Sequence, residues 1–396
     1  MTNNKRCVED LALFGGPLLF ASSSPKVASN ATEQFFSYAR QAFEDRRLSN
    51  HGPLVLQLEE QLRTVHHTRH CITFANASLA TAIALRVLAD GRSGNVVLPA
   101  ISYRELPHLI RWAGLLPKYC DVEPVGHTLS ASALRDVIDA DTVAVLPVDN
   151  VHAMCDVDGI EAVAKQDRIP VLLDSVNASG RRRGRKVFDA RGTACVYSLN
   201  APALINDFEG GYVTTDDDTL ASNLRAAGNF GFQGERSATL LGMNAKLNEI
   251  HAALALVNMP NTDELQHKSA ERLASCRAAF AGIDGIEIAD YSAGPDNYGV
   301  ILIKLLAEWP LSRARTQNLL NAEQALAGQH YTNLFEVCPD LGSADRSQFP
   351  VAERVGREFL QFPVGATTSD EDTYTLAALL KFIQQNAGLI RSRLDG

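Results

Sequence analysis

Ser198-Leu199-Asn200-Ala201-Pro202-Ala203-Leu204-Ile205-Asn206-Asp207-Phe208-Glu209-Gly210-Gly211 links two short apolar runs, Ala194–Leu199 and Gly211–Thr215. Runs of this length and composition read as buried strands. Working outward, similar runs recur at His70–Phe74, Asn95–Leu98, Thr142–Val148 and Ile169–Leu173. Amphipathic stretches separate them, at Ser78–Ala89, Ser132–Ile138 and Gly159–Lys165. Short buried strands alternating with helices predict an α/β fold, with a mostly parallel central sheet flanked by helices. Right-handed crossovers then bring the strand ends to one edge, where ligands bind in such folds.

The residues that follow these strands are therefore the candidates for chemistry. They are Asn76-Ala77-Ser78, Pro99-Ala100-Ile101-Ser102-Tyr103, Asp149-Asn150, Asp174-Ser175-Val176-Asn177 and Ser198-Leu199-Asn200. Ser78 opens a helix directly after a strand. It is read either as a plain N-cap or as a donor to an anion at the helix N-terminus. Tyr103 is a candidate stacking aromatic or a partly buried loop ring. Asp174 closes the apolar run Ile169-Pro170-Val171-Leu172-Leu173, so it needs a donor, a cation or a polar cleft. From about Asn261 the pattern changes. A helix at Glu264–Ala281 precedes strand-like runs at Ile286–Ile288 and Tyr298–Leu305, then helices around Leu311–Leu326 and Asp370–Gln384. A large α/β domain with an N-terminal arm (1–260) and a smaller C-terminal α+β domain (261–396) are expected.

The set of residues resembles the DegT/DnrJ/EryC1/StrS family, the sugar and cyclitol aminotransferases of the fold type I pyridoxal-phosphate superfamily. Phe14-Gly15-Gly16-Pro17 is similar to that family's Gly-Gly-Pro entry, and Leu48-Ser49-Asn50-His51-Gly52-Pro53 to its Leu-Thr-Asn-Gly-Gly-Pro loop. Asn229-Phe230-Gly231 and Leu241-Gly242-Met243-Asn244-Ala245-Lys246-Leu247 resemble two later motifs. The resemblance implies a pyridoxal 5'-phosphate or pyridoxamine 5'-phosphate cofactor. It implies that Ala77, Ser78 and Ser198 face the phosphate, Tyr103 the ring, Asp174 the pyridine nitrogen and Asn177 the 3-hydroxyl. It also implies that Asn244 reaches the phosphate of a neighbouring subunit, hence a homodimer with shared sites. Asn50, His51 and Arg104, with Glu105, are expected to face a small-molecule substrate.

The first stretch departs from the family's Ser-Phe-His-Ala-Thr-Lys at its most important position. Ala203 stands in the slot of the lysine that forms the Schiff base and shuttles protons. A methyl group does neither. Asn200 replaces the histidine, Pro202 a threonine, Asn177 the His/Gln and Ala77 the phosphate-loop glycine. Asp149 and His152 stand where a His and a Gly are usual. The cofactor is thus expected to bind non-covalently, and ordinary transamination to be impaired. A missing general base alone removes roughly 10²–10⁴-fold in rate. His152, Lys246 and Asp207 are candidate replacement bases. Two alternatives stand beside an unusual enzyme: an inactive homologue that pairs with an active one, and an engineered Lys→Ala variant.

Bulk properties exclude other classes. The 396 residues are 46% hydrophobic and 21% charged, with a formal net charge of −9. An acidic chain offers no field for a nucleic-acid backbone. No apolar run nears the roughly 20 residues needed to span a bilayer, and no secretory h-region follows Met1-Thr2-Asn3-Asn4-Lys5-Arg6. The seven cysteines, Cys7, Cys71, Cys120, Cys155, Cys195, Cys276 and Cys338, form no Cys-x-x-Cys pair. No metal site is expected, and reduced thiols in a cytoplasmic protein are. The basic run Gly180-Arg181-Arg182-Arg183-Gly184-Arg185-Lys186 reads as a solvated hairpin.

Overall fold

The computed structural model describes residues 5–20, 32–178, 182–183, 186–187, 191–200, 208–233, 237–289, 299–336, 345–363 and 368–395. Ala203, Pro202 and Asp207 lie outside the described residues.

The strands in chain order are β1 (His70–Phe74), β2 (Asn95–Pro99), β3 (Ile101–Ser102), β4 (Leu116–Cys120), β5 (Thr142–Val145), β6 (Leu172–Asp174), β7 (Arg182–Arg183), β8 (Lys186–Val187), β9 (Ala194–Ser198) and β10 (Gly211–Thr215). β11 (Ile286–Ile288), β12 (Val300–Leu305), β13 (Gly328–Gln329), β14 (Thr332–Asn333) and β15 (Phe359–Pro363) complete them. The central sheet runs β4-β2-β5-β6-β9-β10-β1. Parallel bridges Val145↔Val171 and Val148↔Asp174 join its two halves. Only the pairings of β10 with β9 and β1 are antiparallel, so the sheet is mostly parallel, as expected.

Both faces of this sheet are covered, and the side-chain alternation shows it. On β9, Cys195 and Tyr197 enter one core cluster while Ala194 and Val196 enter the other. β6 divides likewise, with Leu173 on one side and Leu172 on the other. Several of the helices that cover the faces carry local side-chain caps. α1 (Thr32–Glu44) and α2 (Pro53–His66) precede α3 (Ala77–Ala89), where Asn76 accepts from the Leu79 amide at 2.8 Å. α4 (Leu106–Trp112) and α5 (Ala131–Val137) follow. Asp156, Asp217 and Asn248 cap α6 (Val157–Ala164), α7 (Asp218–Ala227) and α8 (Glu249–Asn258) in the same way. Each such cap is worth about 1 kcal/mol.

The C-terminal region has its own antiparallel sheet, β11-β12-β15-β13. α9 (Thr262–Phe280), α10 (Arg313–Ala322), α11 (Pro350–Glu358), α12 (Asp370–Gln385) and α13 (Ala387–Asp395) accompany it. One core cluster holds this region together, and Val8 and Leu11 belong to it. The N-terminal segment thus packs on the C-terminal sheet. Buried Glu323 fixes it there, accepting from the amides of Ala12 and Leu19 and pairing with Lys5 at 2.9 Å. β14 pairs with β3, which brings residues 328–334 across to the edge of the central sheet. In the basic run, β7 and β8 pair antiparallel, in keeping with the hairpin reading. Five of the six described cysteines are buried, and none of the six is in a disulfide. Among the described residues, no helix is long and apolar enough to cross a membrane.

Candidate functional site

The ends of β1, β6 and β9 and the start of β10 meet at one edge of the sheet. Asn76, not Ser78, caps α3. Ser78 is therefore left exposed at the second helical position. The amides of Ala77 and Ser78 have no intrahelical acceptor, as at any helix start. Gly211 lets this helix end approach the sheet closely. A Cβ there would lie 2.5 Å from the Ala77 nitrogen and 2.6 Å from its Cα.

Asp174 is 2% exposed and ends β6. Its Oδ1 accepts from the Val176 amide at 3.0 Å. Among the described residues no cation pairs with it. Burial, with smaller contributions from Asp149 and Glu105 and against the Val176 bond, raises its pKa to about 7. Nearby Asp149 is fully buried and already engaged: Ser175 Oγ donates to it at 2.7 Å and the Cys155 amide at 2.8 Å. Ser198, on the strand beside β6, is 3% exposed and accepts from the Asn200 amide at 3.1 Å.

Asn177 Nδ2 donates to the Tyr331 hydroxyl at 2.8 Å. Tyr331 meets Tyr103 edge-on, with centroids 5.1 Å apart and the hydroxyls 3.5 Å apart. Tyr331 was not expected from the sequence. It comes from the C-terminal region, delivered by the β14–β3 pairing. Asp174, Asn177, Tyr103 and Ser198 are thus collected near one edge, with Tyr331 added.

The other sequence candidates fall elsewhere. Lys246 donates to Asn229 Oδ1 at 2.8 Å and lies 4.6 Å over the Phe230 ring. Desolvation lowers its pKa. Among the described residues, no contact joins it to Asp174, Tyr103 or Asn177. His51 sits near Lys246. Desolvation chiefly lowers its pKa; Glu59 opposes this, and Arg225 and Lys246 add to it. Asn50 and His51 are consecutive left-handed residues, with φ of 64° and 54°, which turn the chain into α2. Asn244 is exposed and bridges Asn229. Arg104 is exposed at the start of α4. His152, expected among the candidate bases, is 1% exposed and packs against His127 and His330 rather than lining an open cleft.

A family model described as the DegT/DnrJ/EryC1/StrS aminotransferase family matches residues 29–381. The chain belongs to this family. The dTDP-4-amino-4,6-dideoxy-D-glucose transaminase of Escherichia coli is 28% identical over 88% of this chain and 94% of its own. The erythromycin biosynthesis sensory transduction protein EryC1 of Saccharopolyspora erythraea is 26% identical over 85% and 91%. The crystal structure of DesI in the presence of its TDP-sugar product aligns with a TM-score of 0.90 and 27% identity, covering 98% of this chain and all of that one. Helicobacter pylori PseC, an aminotransferase involved in the biosynthesis of pseudoaminic acid, shares the fold at 20% identity and a TM-score of 0.82, covering 92% of this chain and 99% of its own.

Family membership supports binding of pyridoxal or pyridoxamine phosphate. The residues present fit such a group on one observation of this structure. Among the described residues Asp174 is a buried carboxylate with no cation, and a protonated pyridine nitrogen supplies one. The start of α3 offers amides and a hydroxyl of the kind a phosphate takes.

Proposed function

We propose that this member of the aminotransferase family binds pyridoxal or pyridoxamine phosphate without a covalent link. We propose that it acts on an amino or keto sugar, cyclitol or related biosynthetic intermediate, with ordinary transamination impaired. The observation that carries this reading is the buried carboxylate of Asp174 at the sheet edge, which no cation among the described residues meets, in a chain whose lysine slot holds Ala203. Likeness to a dTDP-sugar transaminase and to DesI with its TDP-sugar product favours a nucleotide-linked sugar as the substrate class.

The cofactor, when bound, supplies an electron-accepting ring to the carbon that bears the amine or ketone. The chain's own residues have distinct tasks. Asp174 holds a proton at the pyridine nitrogen. The start of α3, with Ser78, and Ser198 hold the phosphate. Asn177, its amide fixed by the Tyr331 hydroxyl, would face the 3-hydroxyl, and Tyr103 would stack on the ring. Ala203 has no amine to hold the cofactor or carry a proton. Lys246, Asp207 and His152 remain the candidate bases, and the burial of His152 argues least for that residue. The division at 260/261 is part of the same proposal, supported by the separate C-terminal sheet and core.

We propose a homodimer with shared sites, the arrangement that the family resemblance around Asn244 implies. It is exposed in the single chain, beside a groove lined by Ser78, Trp112, Leu241 and Met243. Trp112 is 82% exposed and Leu241 71%. The same exposed face fits the alternative reading, an inactive homologue that completes the site of a lysine-bearing partner.

The test is Ala203→Lys. The variant and the unaltered protein are loaded with pyridoxal phosphate, treated with borohydride, dialysed and analysed by mass. Cofactor retained only by the variant, with glutamate- or glutamine-dependent transamination of keto sugars regained, supports an intact site lacking its amine. Cofactor fixed equally in both, or bound by neither, overturns the reading. An engineered origin predicts full activity in the variant.

A further inference from the structure

Beside the candidate site lies a cluster that no spacing in the sequence suggests. His127 follows β4 in a turn, His152 lies in the loop after β5, and His330 comes between β13 and β14. They are 4%, 1% and 2% exposed. Their ring centroids form a nearly equilateral triangle, 4.9, 5.2 and 5.3 Å on a side. One nitrogen from each ring lies within 4.8 Å of the others.

The rings are held from behind. His152 Nε2–H donates to the Val125 carbonyl at 3.3 Å. A backbone hydrogen bond of Pro124 acts on His127. Asn150 ties the two loops together. Its amide donates to the Gly126 carbonyl, and its Oδ1 accepts from the amides of His152 and Ala153. Phe359 closes one side, 4.7 Å from the His127 ring. Among the described residues, Nδ1 of His127 and both ring nitrogens of His330 have no hydrogen-bond partner. Buried polar nitrogens are normally satisfied. Orphaned nitrogens on two buried rings, with the ring of His152 in reach of both, have the form of a ligand set. Carbonyls behind ligating histidines are the usual outer support of such sites.

We propose that His127, His152 and His330 bind one divalent transition-metal ion of the zinc class. Three imidazoles without a carboxylate select zinc, cobalt or nickel over magnesium or calcium. Zn–N bonds of about 2.0–2.1 Å place tetrahedral ligands about 3.4 Å apart, so small ring rotations close the set. Burial, aided by the other histidines, pushes His127 down to about 3 and His330 well below its usual value. Neutral imidazole is the form that ligates such an ion. Arg354 and Lys304 also act on His127, and Lys304 pairs with Glu358 at 3.7 Å. His330 adjoins Tyr331, with rings 4.6 Å apart. The ion would therefore clamp residues 328–334 to the loops of the central sheet and steady the wall formed by Tyr331 and Tyr103. The proposal stands apart from the cofactor reading, because its ligands and its readout do not involve that group.

The experiment uses untagged, chelator-treated full-length protein. Zn²⁺ and Co²⁺ are titrated by equilibrium dialysis, and the Co²⁺ sample is followed by visible absorption. One ion per chain, the intense spectrum of four-coordinate Co²⁺, and at least tenfold weaker uptake in His330→Ala and His152→Ala are expected. No saturable uptake, a weak octahedral spectrum, or uptake unchanged in the variants would overturn the proposal. Circular dichroism checks that the variants fold. If they do not, anomalous diffraction at the zinc edge on the unaltered protein decides: a peak between the three rings supports the site, and none under saturating zinc removes it.

Discussion

Asn177 donates its side-chain amide to the hydroxyl of Tyr331 at 2.8 Å, joining two residues 154 positions apart in the chain. This bond ties the end of β6 to the segment that crosses from the C-terminal sheet. A side-chain hydrogen bond of this kind is worth roughly 0.5–1.5 kcal/mol net. Tyr331→Phe removes it without removing the ring. The affinity for pyridoxamine phosphate is expected to fall by roughly 2–10-fold, read by fluorescence titration. Asn177→Ala should fall at least as far, since it also deletes the amide. Equal affinities in all three proteins would show that the bond holds the fold and not the cofactor.

Asp174 makes the apoprotein's stability depend on pH. Its folded pKa of about 7 lies above the ordinary 3.8. Below about pH 4 the carboxyl is protonated in both folded and unfolded chains and costs nothing. As pH rises toward 7, the unfolded chain gives up its proton first, so the folded state loses stability across that window and then levels off. The full loss is at most on the order of 4 kcal/mol. Asp174→Asn removes the effect. The apo variant should be the more stable protein at pH 8, with the gap closing toward pH 4, by denaturant unfolding at each pH. Cofactor binding should move the opposite way, weakening roughly 10-fold or more with the loss of one charge-assisted bond. A gap independent of pH would mean that the carboxylate is compensated.

Glu249 is fully buried at the start of α8, yet its work is done on another helix. Its carboxylate accepts from the amides of Leu54 at 2.8 Å and Val55 at 3.2 Å, the open N-terminus of α2. A carboxylate against a helix N-terminus satisfies orphan donors and the dipole together. Glu249→Ala leaves two buried amides unpaired and is expected to cost about 2–4 kcal/mol, seen as a lower Tm. Glu249→Gln keeps one acceptor and should cost less. A Tm unchanged in Glu249→Ala would show that water replaces the carboxylate.

The contrast between Glu249 and Asp174 marks what the sequence could carry. Asp174 was legible because a charged residue ends an apolar strand, a local contradiction that needs an explanation. β1, β10 and α3 were legible for the same local reason, since apolar runs and periodicity lie within a few residues. β4 was not, because Leu116-Pro117-Lys118-Tyr119-Cys120 carries a proline and a lysine and is half covered. Glu249 reads as an ordinary acidic residue in a first helical turn; its partner at Leu54 is 195 positions away. Tyr331 and Tyr103 are 228 positions apart. His127, His152 and His330 share no spacing that suggests a cluster. Contacts set by the β14–β3 pairing could not be read before that pairing was known. Of the decisive stretch, Ser198 and Gly211 are placed, while Ala203 lies outside the described residues.

Gly211 tests the phosphate end directly. Its neighbour Ala77 carries a methyl, so the close approach of α3 to β10 needs the missing side chain of Gly211. A Cβ at Gly211 would meet backbone atoms of Asn76 and Ala77 at 2.5–2.7 Å, and backbone cannot step aside as a flexible side chain can. Gly211→Ala must therefore push the start of α3 away from the strand. Overpacking of this kind costs typically about 1–3 kcal/mol. The displaced amides would also weaken phosphate binding, roughly 10-fold for a lost bond to an ionised group. Gly388→Ala is the control, since a Cβ there meets nothing within 4 Å. Unfolding and pyridoxamine phosphate titration on both variants should show losses in the first and none in the second. A stable Gly211→Ala protein with undiminished affinity would mean that α3 shifts freely, and that its N-terminus does not hold the phosphate.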